Sequence, residues 1–136
     1  MTLARSLLLY PLMAVVFFAL DMIWLGVIAK GFYARGLAHL MSSTVNWAAA
    51  FVFYAIFLVG VEVFVVLPGV ERGSVARTAL LGAFFGFVAY ATYDLTNWAT
   101  LRDWPAAVAL VDMAWGAVLT GTVSLAGHLI ARRLAG

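Results

Sequence analysis

The chain has 136 residues, of which 66% are hydrophobic and 10% charged, with a net charge of +2 and a mean hydropathy of +1.07. Soluble domains carry about half apolar and about a quarter charged residues, so a soluble enzyme domain, a nucleic-acid reader and a disordered tail are all excluded. The absence of cysteine removes a disulfide scaffold, a thiolate metal site and a Cys nucleophile.

A bilayer core about 30 Å thick needs about 20 apolar residues of helix, and four stretches supply them. The first is Leu7–Ala29. Arg5 ahead of an apolar run resembles a signal peptide, but the run continues through Trp24 to Ala29 without a small-x-small cleavage site. It therefore reads as a spanning helix, bent slightly at Pro11, and it carries Asp21 and Trp24. Lys30-Gly31 opens a short loop in which His39 is expected to be solvated and Ser42, Ser43 and Thr44 read as helix caps. The second span, Val45–Leu67, holds Glu62 and is expected to stop at Pro68-Gly69. The third, Thr78–Ala99, carries Gly82 and Gly86, then Tyr90, Asp94 and Asn97 at i, i+4, i+7 spacing on one face. Trp104-Pro105 starts the fourth, Ala106–Ala131, with proline in the tolerated first turn. It carries Asp112, Trp115 and His128, and Gly116, Thr120 and Ser124 recur along it every four residues.

The expected fold is a single all-α domain over residues 1–136, a four-helix up-down bundle with short loops. Arg5, Arg72, Arg77, Arg132 and Arg133 fall on the side of both termini, against Lys30, Arg35 and Arg102 on the other. That bias favours cytoplasmic termini. Trp47, Trp98 and Trp104 at the outer helix ends fit an aromatic belt. The small-residue steps on the third and fourth helices suit close packing, within the bundle or between copies of the chain.

Six acidic residues exist, and Asp21, Glu62, Asp94 and Asp112 lie inside spans. A carboxylate there costs about 2.5–3.5 kcal/mol on insertion scales and normally faces a cavity or a partner. Counting about 1.5 Å per residue, Asp94 and Asp112 lie roughly 8–9 Å and Asp21 roughly 12 Å from the outer helix ends. Three helices thus place an Asp in the same half of the membrane. The pattern Asp-Met-x-Trp occurs at 21–24 and again at 112–115, and Asn-Trp-Ala at 46–48 and 97–99.

Three carboxylates this close need shared protons or a cation for compensation. Lys30 and Arg102 could snorkel inward as counter-ions, giving a polar plug that locks the bundle. Alternatively Asp21, Asp94, Asp112 and Asn97 form a pocket walled by Trp24, Tyr90 and Trp115, suited to an amine through charge and cation–π attraction. A proton relay would use the same groups, and a hard metal ion is the least favoured occupant. Glu62 and His128, towards the other helix ends, are expected to pair with each other, with Arg132 or with headgroups. At 100° per residue Asp112 and His128 point about 160° apart, which argues against one relay through both. No hydrolase elbow, phosphate loop or dinucleotide fingerprint is present, and no cofactor is expected.

Asp21-Met-Ile-Trp24-Leu-Gly26, Tyr90-Ala-Thr-Tyr93-Asp94-Leu-Thr96-Asn97-Trp-Ala99-Thr, Trp104-Pro105 and Asp112-Met-Ala-Trp115-Gly116 together resemble the bacterial predicted-membrane-protein family known as domain of unknown function 2177. The resemblance runs over the whole chain, and the Tyr-Asp-Leu-Thr-Asn block is its most specific part. It implies a small multi-pass protein of the bacterial inner membrane, with no reaction or cofactor attached. Size and layout also resemble the small multidrug resistance exporters, as an analogy of architecture. Three functions compete: a binding or transport protein for a small cationic or lipidic ligand, with proton coupling and homo-oligomerisation left open; a scaffold or accessory subunit; and a lipid-modifying enzyme, ranked last.

Overall fold

The computed structural model describes the whole chain, Met1–Gly136. Five helices follow one another without any strand: α1 (Leu3–Ile28), the short α2 (Lys30–Gly36), α3 (Trp47–Glu71), α4 (Val75–Thr100) and α5 (Ala106–Ala135). Side-chain oxygens cap three of them: Thr2 accepts from the Arg5 N–H, Asn46 from Ala49 and Ser74 from Arg77. Four of the helices are long and apolar enough to span a membrane, and α2 lies outside the spans. The protein is an all-α, four-span bundle.

All four spanning helices run about a turn further than expected at the end that carries the chain termini. Apolarity marks the membrane, whereas helix ends follow caps and hydrogen bonds, so Arg5, Arg77, Arg132 and Arg133 remain helical beyond the hydrocarbon. Pro68 does not stop α3 as expected. A π-helical turn over Glu62–Val66 precedes it, so the proline falls in the first positions of the following turn, where its missing N–H costs little. A second π turn, Trp24–Ile28, ends α1. The first connection, expected as a plain loop, holds α2, and the His39 ring there hydrogen-bonds the Asp103 carbonyl at 2.9 Å, tying the first connection to the third.

Both termini lie together, Arg5 Nη1 donating to the Ala135 carbonyl at 3.3 Å. The apolar core joins α1, α3 and α5 through Leu9, Met13, Phe17, Leu58, Val61, Leu119 and Val123, all at most 1% exposed. Around it the outer surface is apolar too, with Val15, Ile56, Phe64, Leu80, Leu110 and Val118 facing outward, as a bilayer solvent requires.

α4 and α5 form the most extensive helix pair. Thr78 meets His128, Gly82 meets Ser124, Gly86 meets Thr120, Tyr90 meets Gly116 and Asp94 meets Asp112. Each rung steps four residues up one helix and four down the other, which is i±4 ridges packing together. A Cβ on Gly86 would collide with the Gly116 carbonyl and Thr120, and one on Gly82 with Ser124. The two small-residue stripes are therefore occupied with each other inside the bundle, not by a second copy. The i±4 ridge is inclined to the helix axis, so an obliquely crossing partner follows it. Asp112 and His128 consequently lie on one seam despite the 160° that a straight axis assigns them.

Candidate functional site

The seam ends, away from the termini, in a cavity of about 530 Å³ lined by fourteen residues, eleven of them hydrophobic. Asp21, Asp94 and Asp112 all line it, with Tyr33, Tyr54, Tyr90, Tyr93, Trp104 and Trp115. The cavity exists because α3 stands away from α4 here. Over Trp47–Val61 its backbone packs mainly against α1, and it joins α4 and α5 only from the π turn onward. Aromatic rings bridge the gap, Phe57 lying 5.9 Å from Phe85 and 6.4 Å from Tyr90 between ring centres. Phe53 and Tyr93 line the cavity while about half-exposed to the outside, so it opens sideways between α3 and α4.

The two Asp-x-x-Trp motifs interlock. The Trp24 and Trp115 rings stack at 4.5 Å with planes 10° apart. Each indole then serves the other motif's carboxylate. Trp115 Nε1 donates directly to Asp21 Oδ1 at 3.2 Å. Trp24 Nε1 donates to the Tyr33 hydroxyl at 3.1 Å, which donates to Asp112 Oδ1 at 2.6 Å. The Tyr54 hydroxyl completes Asp21 at 3.3 Å to Oδ2. Tyr33 lies outside the spans; burial first, and then its bond to Asp112, push its hydroxyl above the usual tyrosine range and keep it a neutral donor.

Asp94 differs from the other two carboxylates. It is fully buried, and neither oxygen receives a hydrogen bond from an N–H or O–H of the protein. Its neighbour is the Asp112 carboxyl, close enough for one proton to bridge the two. No basic side chain lines the cavity. Lys30 and Arg102, expected as counter-ions, are both exposed. The carboxylates do not form a cluster able to hold a metal ion.

Of the residues expected at the site, the fold gathers Asp21, Tyr90, Asp94, Asp112 and Trp115 around the cavity, with Trp24 backing Trp115. Asn97 does not line it, because one helical turn past Asp94 the face has rotated and reached the helix end. Trp104 is corrected from a belt residue to a cavity wall: it is buried, edge-on to Tyr93 at 5.6 Å, with its indole N–H unpartnered. Trp47 and Trp98 are exposed. Glu62 and His128 make no pair. His128 Nδ1 bonds Thr78 Oγ1 at 2.7 Å instead, and Glu62 is buried at the start of the π turn.

Sequence reasoning missed Tyr33, Tyr54, Tyr93 and Trp104. Tyr54 had a signal, being the only side-chain hydroxyl in the otherwise apolar Trp47–Val61. Tyr33 had none, since only α2 folding back over the bundle end brings it to Asp112.

The fold and the cavity define a class: a four-span α-helical membrane protein with an acidic, aromatic cavity at the end of the bundle away from the termini. Residues 6–129 match the model of the family described as predicted membrane protein (DUF2177), and the chain belongs to that family. No curated protein and no solved structure matches it.

Proposed function

We propose that this is a multi-pass protein of the bacterial inner membrane, with both termini cytoplasmic, whose cavity binds a lipophilic organic cation entering from the outer leaflet. The observation that carries the reading is the Asp94–Asp112 pair at the cavity wall, two carboxyls in contact with no basic side chain lining the chamber to balance them. Two buried carboxyls in contact carry a negative charge that no protein cation offsets, and an ammonium group supplies the missing positive charge and donors. Trp115, Tyr90 and Trp104 offer ring faces for cation–π attraction. The lining is otherwise apolar, and its volume falls within the range of about 300–1,000 Å³ usual for small-molecule sites. The lack of any basic lining residue disfavours a phosphate-bearing headgroup, and the side opening favours a ligand dissolved in lipid.

Benzyltrimethylammonium is a suitable probe. It should quench the tryptophan fluorescence of the detergent-purified chain saturably, and Asp94→Asn with Asp112→Asn should abolish the quenching while the helical circular dichroism persists. Equal quenching in wild type and double mutant sinks the reading. Orientation is checked separately on the naturally cysteine-free chain: His39→Cys should react with an impermeant maleimide in intact cells and Gly136→Cys should not. The reverse pattern would refute cytoplasmic termini.

A further inference from the structure

We infer that the cavity has a second mouth, towards the aqueous phase at the end away from the termini, and that α2 is the hinged lid over it. The protein then passes its ligand between lipid and that aqueous phase. What passes is named by the cation reading above, on which the transfer rests; the lid stands without it.

The cavity is bounded differently on each side. Between α3 and α4 it opens sideways, past half-exposed Phe53 and Tyr93. Towards the termini it is shut, since the α4–α5 seam has no room for a Cβ on Gly86 or Gly82. At the remaining end the cover is α2, which places Tyr33 and Leu37 in the cavity lining. Beneath α2 lies Val108, another lining residue and only 3% exposed. A Cβ on Gly36 would stand 2.6 Å from its Cγ2, so the lid rests directly on it.

This cover is held unlike the rest of the bundle. Every spanning helix has fully buried residues, whereas α2 has none. Phe32, Tyr33 and Gly36 are half-buried, and the other four residues of α2 are exposed. An element with so few buried apolar contacts opens locally at far less than the cost of global unfolding. The chain is also jointed on both sides of it. The π turn Trp24–Ile28 ends α1, and Ala29 leaves helical geometry at φ −109°, ψ 5°. Leu37 does the same at φ −107°, ψ 7°, and residues 38–46 beyond it are all exposed, with no helix among them. Rotation about the two joints swings α2 as one body.

The latch is a single hydroxyl. Tyr33 accepts from Trp24 Nε1 at 3.1 Å and donates to Asp112 Oδ1 at 2.6 Å, which ties α2 to α1 and α5 at once. The Tyr33 ring meanwhile stands edge-on to Trp24, 6.5 Å between centres. When the latch lets go, Tyr33 leaves the lining, Val108 is uncovered and Asp112 faces water instead of a phenol. The His39 bond to the Asp103 carbonyl is a second tether, but it lies in solvent, where such a bond holds less.

The test uses the cysteine-free full chain in phosphatidylcholine nanodiscs, with Val108→Cys as the reporter beneath the lid and a water-soluble cationic methanethiosulfonate as the reagent. The reporter should label at least tenfold more slowly than Ser43→Cys in the exposed connection. Adding Tyr33→Phe should speed it at least fivefold, with helical circular dichroism and cooperative unfolding as the check on folding. Tyr10→Phe removes a hydroxyl that bonds the Ala55 carbonyl, away from the lid, and should change the rate less than twofold. A reporter as reactive as Ser43→Cys, one indifferent to Tyr33→Phe, or one accelerated equally by Tyr10→Phe would overturn the lid. Gly36→Cys with Val108→Cys then staples the lid when oxidised, because the two side chains meet there. Oxidation should slow benzyltrimethylammonium dissociation at least tenfold, and dithiothreitol should restore it; an unchanged rate would refute passage under α2. Labelling controlled by Tyr33 without any probe binding would keep the lid and reject the cation reading.

Discussion

The two halves of the bundle share one helix seam but use it in opposite ways. Towards the termini α3 closes onto α4 and α5, glycines face Ser124 and Thr120, and backbones come so close that a single Cβ has no room. Towards the other end Tyr90 and two carboxylates replace the small residues, α3 stands off, and the space becomes a chamber. Within that chamber the contrast repeats on a smaller scale. Asp21 receives Trp115 and Tyr54, whereas Asp94 has only the Asp112 carboxyl beside it. Polar residues buried at the same end of the bundle therefore have different work: Asp21 holds helices together through Trp and Tyr donors, and Asp94 is left with a second carboxyl.

The largest expected effect breaks the closed half. Gly86→Val should destabilise the bundle by about 3 kcal/mol or more, since backbone rather than a flexible side chain stands in the way. Gly26→Val is the control, with nothing near its added carbon, and should leave thermal unfolding in detergent almost unchanged. Next comes the contrast between carboxylates. Asp21→Ala strands two donors and should cost about 2 kcal/mol, while Asp94→Asn should be neutral or stabilising and should lose probe binding. Equal destabilisation by both would erase the distinction drawn between them. Trp24→Phe keeps the stack on Trp115 but removes the donor to Tyr33, for an expected loss of about 1 kcal/mol.

The smallest effect concerns pH. Tyr33 holds its proton more firmly folded than unfolded, so the folded state binds more protons once the unfolded tyrosine begins to ionise near pH 10. Its contribution is complete below that pH and is lost as pH rises. Wild type should thus lose stability faster than Tyr33→Phe above about pH 10, and parallel unfolding curves would contradict the buried Tyr33–Asp112 bond.

Much of this architecture was legible in the chain. Charged groups are too costly in lipid to be scattered, so Asp21, Asp94 and Asp112 at similar depth already implied one polar site. Helix ends were less legible, because hydropathy stops at the membrane and helices with Arg5, Arg77 and Arg132 do not. The counter-ion role of Lys30 and Arg102 failed for a related reason: Tyr and Trp donors satisfy Asp21 and Asp112 without bringing a charge in from water.

The sequence by itself determined four spans, termini on one side and three acidic groups towards one end of the bundle, because each follows from the cost of moving groups into hydrocarbon. Only the tertiary structure decided which donors meet which carboxylate, that Trp104 walls the chamber, and that Thr78 through Asp94 runs beside Asp112 through His128. Those depend on the oblique crossing of two helices and on where α2 folds back, and neither is written in the periodicity of a single helix.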